Sequence, residues 1–162
     1  MQKTIISILL ILTIFVINSN SINACSCVDK RSIKKEVHHS KSVVIGKILS
    51  RGEDYTAEIN GVKRKIASFL LVIEYSYKGN FKNDTLEIIT LNHTASCGYL
   101  FSAGEKYIVY STKTPKSIKN LKLKKRNNSM KVQWTDLCTR TTKFNDDEDE
   151  TINKLKRKRV CN

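Results

Sequence analysis

The sequence predicts a mainly β protein in which a small, closed and mostly antiparallel sheet is flanked by short helices. Five or six apolar runs rich in β-branched residues fill the middle of the chain, and glycines separate them. Helical patterns occur near both ends, and the chain contains a single proline. A small, mostly antiparallel closed sheet flanked by helices fits this pattern of strands and turns. No internal repeat and no linker divides the chain, so we expect one domain.

The chain opens with an apolar leader that has the three parts of a secretory signal. Lys3 precedes the apolar run 5–17, and a polar segment leads to the small residue Ala24. The run is shorter than the roughly 20 residues that a membrane-spanning helix needs. We predict that residues 1–24 are a signal peptide and that residues 25–162 form one secreted domain without a transmembrane segment.

The first half of this domain begins with weak helical spacing between residues 29 and 40. The run 42–49 predicts a strand, in which Gly46 indicates a bulge or bend. The runs 55–59 and 66–77 predict two strands. Asn60-Gly61 lies between them and favours a two-residue hairpin turn, because this dipeptide tolerates positive φ angles.

The second half continues with strands predicted over 85–91 and 106–110. An exposed loop is expected over 114–129, followed by a strand near 130–134. The segment 146–159 begins with acids and ends with bases, which complements a helix dipole and predicts a C-terminal helix. Its docking face would be Ile152 and Leu155.

Five cysteines follow the leader, in a part of the chain that we expect to meet an oxidising compartment. Because five is odd, at most two disulfides form and one thiol remains. Cys25 and Cys27 point to the same side if their segment is extended. Two disulfides from them would pin the first residues to the body of the domain. Four cysteines permit three pairings, and spacing alone does not choose among them.

The composition favours a binding protein over an enzyme. The formal net charge is +14, which suits acidic partners. A basic loop, residues 113–131, has no acid within it, and its densest part is Lys122, Lys124, Lys125 and Arg126. It predicts a solvated face or a site for sulfated glycans and other polyanions. No catalytic triad, phosphate loop or His-Glu-x-x-His motif is present, so we expect no enzyme activity and no cofactor. Nucleic acid is not an expected partner of an exported protein.

The arrangement of cysteines resembles a known family. A leader ends in Ala24, Cys25-Ser26-Cys27 follows, the strand 43–47 comes next, and Cys97-Gly98-Tyr99 precedes the strand 106–110 and then Cys138. This pattern resembles the N-terminal domain of the tissue inhibitors of metalloproteinases and, more broadly, the netrin-like modules and their bacterial secreted relatives. The resemblance implies a five-stranded oligonucleotide/oligosaccharide-binding barrel with flanking helices.

The resemblance also implies a site. It implies the disulfides Cys25–Cys97 and Cys27–Cys138, and an amine and carbonyl of Cys25 that chelate the catalytic zinc of a target metalloprotease. The protein would bind no metal of its own. A contact ridge would meet the target, with Ser26 entering the specificity pocket and Ala95-Ser96 forming the ridge's second strand. The contact ridge comprises Ser26, Cys27, Val28, Ala95, Ser96 and Cys97.

One alternative uses the same cysteine differently. Residues 22–25 approximate a bacterial lipoprotein box, in which Cys25 is acylated and anchors the protein at the cell surface. Acylation would consume the Cys25 sulfur and block its amine. The disulfide and the chelation would then both be lost, and a lipid-anchored binding module would remain.

Overall fold

The structure is a computed structural model that describes residues 25–27, 30–115, 118 and 131–160, with side-chain detail as far as residue 157. The predicted signal peptide lies outside the described residues. The helices and strands are α1 (Ile33–His39), β1 (Ser42–Arg51), β2 (Tyr55–Ile59), β3 (Val62–Lys78), β4 (Thr85–Leu91), β5 (Lys106–Ser111), β6 (Lys131–Trp134), β7 (Thr142–Lys143) and α2 (Asp146–Val160). No helix in this part of the chain has the length and apolarity needed to cross a membrane.

The β2–β3 hairpin confirms the turn predicted from Asn60-Gly61. The two residues have φ angles of 51° and 77°, the positive values that a mirror-image two-residue turn requires. β3 is longer than predicted, with 17 residues. It pairs with β2 near its start, with β4 along its middle and with β1 towards its end.

The fold is mainly β, but the predicted closed five-stranded barrel is not confirmed. The strands form one seven-stranded sheet that is not closed, in the order β6-β4-β3-β1-β5-β7, with β2 attached to β3. β4 and β6 are parallel, and every other strand pair in the described residues is antiparallel. At the open side, β5 pairs with the two-residue β7. A single bridge between Thr112 and Trp134 joins the end of β5 to β6.

The bend of β1 confirms the prediction made from Gly46. The β1–β3 ladder shifts register between Ile45 and Gly46 and at two further points. A Cβ atom at Gly46 would lie 2.2 Å from the Val72 carbonyl oxygen, so only glycine permits this close approach of the two backbones.

The core consists of three apolar clusters on the two faces of the sheet. The largest lies inside the curved sheet and contains Phe69, Leu71, Phe101 and Tyr107 among its members. A second lies beneath the two helices, and a third surrounds Ile66 and Trp134. β1 contributes to two of them, because Val44 and Ile48 face the first while Val43 and Ile45 face the second.

The predicted C-terminal helix is confirmed as α2. The Asn145 side chain caps it by accepting a hydrogen bond from the Glu148 N–H at 2.9 Å. Ile152 is 1% exposed and packs in the cluster beneath the helices, whereas Leu155 is only half-buried. The N-terminal helix α1 is shorter than the 29–40 pattern. Together the helices cover the face of β1 and β5 that lies outside the main core.

Candidate functional site

Two disulfides attach the start of the described chain to the body of the fold. They join Cys25 to Cys97 and Cys27 to Cys138, with Cα–Cα distances of 5.1 and 5.2 Å. These are the two pairs that the family resemblance implies. The Sγ atoms of Cys25 and Cys27 are 3.9 Å apart, so the two bridges lie side by side. Because these sulfurs are all bonded in disulfides, they offer no thiolate to a metal ion.

A tight turn presents Cys97 to its partner. Hydrogen bonds from the N–H groups of Ser96 and Gly98 to the His93 carbonyl, at 3.0 and 2.9 Å, close the loop, and the Cys97 N–H donates to the Thr94 carbonyl at 2.9 Å. Cys97 has a left-handed φ of 67°. A Cβ atom at Gly98 would lie 1.8 Å from the Leu91 carbonyl oxygen. Glycine is therefore required directly after Cys97 for the turn to pack on β4.

The prediction that Ala95-Ser96 forms a second strand of the contact ridge is wrong. Thr94–Ser96 is a 3-10 turn. The reason is local: the hydrogen bonds to the His93 and Thr94 carbonyls are made within the loop, so these groups are not available to a neighbouring strand. Ala95 is exposed and Ser96 is half-buried. Both residues still lie beside Cys25, on the surface.

Cys138 is held by a second turn. The Asp136 carboxylate accepts hydrogen bonds from the N–H groups of Cys138 and Thr139 at 2.9 and 3.1 Å. The Leu137 N–H donates to the Cys97 carbonyl at 2.9 Å. This hydrogen bond ties the two cysteine anchors to each other, and thereby fixes the separation of the two disulfides.

The hydroxyl groups of three buried threonines form a hydrogen-bonded cluster next to the Cys138 turn. Thr135 and Thr139 approach each other at 3.0 Å, Thr135 and Thr141 at 2.7 Å, and the Thr135 hydroxyl also donates to the Tyr110 carbonyl at 3.0 Å. All three threonines are buried. A satisfied polar cluster of this kind makes the turn rigid.

The backbone of Cys25 lies against the same surface. Its N–H donates to the Ala95 carbonyl at 3.0 Å. Cys25 is half-buried, whereas Ser26 and Cys27 are exposed. The structure therefore brings together Ser26, Cys27, Ala95, Ser96 and Cys97 of the contact ridge around the Cys25 backbone, and a side chain at position 26 projects from the surface between two anchored cysteines.

Other predicted residues lie outside the described part of the chain. These are Val28 of the contact ridge and the basic residues Lys122, Lys124, Lys125 and Arg126; the fifth cysteine of the sequence, Cys161, also lies there. His38 and His39, which the sequence places side by side, are exposed at the end of α1, and the His39 ring bonds to the Lys35 carbonyl at 3.1 Å. Within the described residues, the cysteine sulfurs are the only group of potential metal ligands that lie together.

Sequence reasoning missed the residues that hold the anchors in place. Asp136 carried a signal, because an aspartate side chain often accepts a hydrogen bond from the backbone N–H two residues later and so forms an Asx turn. Leu137 and Ala95 carried none, because each takes part through its backbone. Comparison of the chain with protein-family models and with curated protein sequences found no match.

Proposed function

We propose that this protein is a secreted inhibitor of zinc metalloproteases, and that the amine and carbonyl of an N-terminal Cys25 chelate the catalytic zinc of the target. The proposal requires that the leader is removed after Ala24. The Cys25 nitrogen is then an α-amine in place of a peptide N–H. Amine and carbonyl oxygen belong to one residue and can bind one metal ion together.

The chemistry of catalytic zinc suits such a ligand pair. A catalytic zinc has three protein ligands and an open position that holds the reactive water. A bidentate amine and carbonyl would displace that water. An α-amine has an ordinary pKa of about 7.7 to 8.0, so that part of the population is neutral at physiological pH and can bind a metal at small cost.

The observation that carries the proposal is the placement of the Cys25 nitrogen. It lies 3.0 Å from the Ala95 carbonyl oxygen, beside the Cys25–Cys97 disulfide. A neutral amine has two hydrogens and a lone pair. One hydrogen can keep the bond to Ala95 while the lone pair binds the zinc. Because the terminus is already fixed by two disulfides, little conformational entropy is lost on binding.

The pairing of Cys25 with Cys97 also favours a free terminus over a lipid anchor. An acylated Cys25 has no sulfur left for a disulfide, and Cys97 would then lack this partner. The Cys25–Cys97 disulfide therefore argues against the alternative of a lipid-anchored form.

The proposal takes the family's barrel as the scaffold behind the contact ridge. Two hydrogen bonds between the end of β5 and β6 support such a barrel. The Thr112 N–H donates to the Trp134 carbonyl at 2.8 Å, and the Ser111 hydroxyl donates to Gln133 Oε1 at 2.9 Å. These bonds draw the end of β5 towards β6 across the open side of the sheet. Further pairing of β5 with β6 across this gap would join β1, β3, β4, β5 and β6 into a five-stranded barrel.

The test compares a chain that starts at Cys25 with the same chain carrying one extra alanine before Cys25. The extension converts the amine into a peptide nitrogen and adds bulk where the zinc would lie. We expect it to weaken inhibition of a responsive zinc endopeptidase by at least about 100-fold, since amine coordination is lost. Both chains are to be assayed against a panel of His-Glu-x-x-His endopeptidases.

Two controls make the result specific. Mass spectrometry before and after reduction must show the same two disulfides in both chains, and urea unfolding must give equal midpoints. With a cobalt-substituted protease, the unextended chain alone should change the visible spectrum of the metal. If the extended chain inhibits within threefold of the unextended one, the chelation mechanism is wrong.

The second candidate function is the binding of sulfated glycans or other polyanions through the basic loop. The observation that favours it is the absence of any acidic residue between Lys106 and Asp136. Neutralising Lys122, Lys124, Lys125 and Arg126 should abolish binding to a heparin column and leave protease inhibition intact, whereas the N-terminal extension should do the reverse.

A further inference from the structure

A basic groove lies next to the contact ridge. It has a volume of about 400 Å³ and is lined by Lys63, Arg64 and Lys65 on one side and by Asn92, His93 and Ser96 on the other. It forms where the β3–β4 ladder ends, at the pair Ile66–Leu91. Before that point β3 forms a ladder with β2 alone among the described strands, and a further hydrogen bond, from the Asn92 N–H to the Lys65 carbonyl at 2.9 Å, links the two walls of the groove.

The three cations of the basic groove are not neutralised within the described part of the chain. Lys63, Arg64 and Lys65 are exposed, and none of the ion pairs between described residues includes them. Glu58 lies opposite Lys63 in the β2–β3 ladder, but the two side chains form no ion pair.

Asp54, which contacts the groove residue Asn92, is held outside the groove by an ion pair. Asp54 is paired with Arg51 at 2.9 Å and accepts a hydrogen bond from the Asn92 side chain at 2.6 Å. The basic loop that precedes β6 contains no acid in its sequence. Among the described residues no carboxylate pairs with the three cations, so they are available to an anion of a partner.

We propose that the basic groove receives an acidic segment of the same target whose zinc the Cys25 terminus chelates; the inference rests on the proposed function. Ser96 belongs to both the contact ridge and the basic groove, so a protein bound over the ridge lies against the edge of the groove and can extend a segment into it. Covering three unpaired cations with neutral surface carries a large desolvation penalty. Carboxylates on the target offset that penalty by pairing with the cations, whereas a basic or neutral rim leaves it uncompensated. The basic groove thus selects among metalloproteases.

The residue that the contact ridge and the basic groove share, Ser96, favours a protein over a polysaccharide as the occupant of the groove. A sulfated chain lying in the basic groove would press against His93 and Ser96 and would compete with the ridge for space. An acidic loop of the bound protease meets the same cations as part of one interface.

The first measurement uses hexaglutamate as the probe and follows the backbone amide signals of the isotope-labelled protein by NMR. We expect shifts at residues 63–65 and 92–96, and the affinity is taken from these residues alone, so that binding at the basic loop is not counted. The variant K63Q/R64Q/K65Q should bind the peptide at least about tenfold more weakly. The matched control K34Q/K35Q/K41Q removes the same charge from exposed positions near α1 and should bind within twofold of the wild type. A heparin-derived hexasaccharide is titrated in parallel.

The second measurement is the rate of association with each inhibited protease at about 50 and 300 mM salt. Steering by opposite charges raises association rates and weakens with salt. K63Q/R64Q/K65Q should slow association about tenfold at low salt for proteases with an acidic rim, and less than twofold for those without. The control variant should change neither.

The outcomes separate the two claims. If the wild type inhibits no protease but hexaglutamate still shifts residues 63–65, the proposed function fails and only an acidic-peptide site remains. If inhibition is observed and K63Q/R64Q/K65Q associates as fast as its control, the groove inference is overturned while the proposed function stands. If the hexasaccharide shifts these residues and hexaglutamate does not, the occupant is a polysaccharide and the inference is also overturned.

Discussion

Gly98 is the residue on which the position of Cys97 depends most directly. The Gly98 backbone packs against β4 so closely that the Leu91 carbonyl oxygen and carbonyl carbon lie 1.8 and 2.6 Å from where a Cβ atom would stand. Both neighbours are backbone atoms of Leu91, which is paired with Ile66 of β3, and they cannot move aside as the end of a flexible side chain would. A side chain at position 98 must therefore displace the turn and, with it, the sulfur that holds Cys25.

We predict that Gly98→Ala lowers the free energy of unfolding by about 3 kcal/mol or more, because the clash is with backbone. The matched control is Gly61→Ala. Gly61 also has a positive φ, of 77°, but no atom lies within 4 Å of its Cβ position, so we expect a loss of about 1 kcal/mol from strain alone. Urea unfolding of both variants checks the comparison, and equal losses would mean that the turn is not tightly packed.

The same residues show why the site was only partly predictable. Cys25, Cys27, Cys97 and Cys138 are visible in the sequence, and the resemblance implies the pairs in which the structure joins them. The 3-10 turn at Thr94–Ser96 was not visible, because its hydrogen bonds go to backbone carbonyls and to the His93 ring, and a histidine is not a specific signal for a turn. The basic groove was missed for a different reason: Lys63–Lys65 and Ser96 are distant in sequence and meet only where two strands separate.

At the scale of elements, α2 is where the sequence pattern and the packing agree best. Its acids lie in the first turn, and Asn145 caps it. Ile152 then inserts into a cluster with Val37 of α1 and Val43 and Ile45 of β1. The helix is thus stabilised both by local signals and by tertiary burial, which explains why its limits were predicted within one residue.

We predict that Ile152→Ala destabilises the protein by about 2 to 5 kcal/mol, since the side chain is 1% exposed and its removal leaves a cavity. Leu155→Ala, one turn away and half-buried, should cost about 1 kcal/mol. Differential scanning calorimetry measures both. Because Ile152 packs in a cluster that contains no residue of the contact ridge, the half-saturating concentration for protease inhibition should not change. A loss of inhibition in a folded Ile152→Ala protein would contradict this division of roles.

Strand pairing illustrates the limit of local signals. The hairpin at Asn60-Gly61 and the bulge at Gly46 follow from single residues whose conformations are restricted. The parallel pairing of β4 with β6, in which Ile89 lies opposite Trp134, has no such marker. It arises because the chain returns to the sheet through the long basic loop, and loop length permits either direction. The open side of the sheet could not be predicted either, because there β5 pairs with β7, and a two-residue strand is too short to show an alternating sequence pattern.

At the scale of the whole molecule, a buried ionisable network joins the sheet, the helices and the Cys138 turn. The Tyr110 hydroxyl on β5 donates to Glu148 of α2 at 2.7 Å, and the Arg140 guanidinium donates to both oxygens of the same carboxylate at 3.1 Å. Arg140 also reaches the Arg31 carbonyl at 3.0 Å. The hydrogen bond to Glu148 raises the pKa of Arg140, so this cation persists across the accessible pH range.

Alkaline pH should therefore loosen the whole molecule through its tyrosines. Burial, and next the hydrogen bond to Glu148, raise the pKa of Tyr110 above its ordinary value. Burial raises the pKa of Tyr99 to about 12. Above pH 10 the unfolded chain releases these phenol protons while the folded chain keeps them. The stability they provide is complete below pH 10 and is lost as the pH rises through the folded-state pKa.

We predict that the free energy of unfolding falls with pH between about 10 and 11.5, and that Tyr110→Phe makes this fall shallower by up to about 1.4 kcal/mol per pH unit, the value for one proton. Glu148 keeps its bonds to Arg140 in the variant, so at pH 7 the loss should be only about 1 to 2 kcal/mol. Urea titrations of both proteins at half-unit intervals measure the difference. Lysine deprotonation affects the two proteins equally and cancels in it. Parallel curves above pH 10 would show that Tyr110 releases its proton as readily in the folded chain as in the unfolded one, and that the network does not hold the phenol neutral.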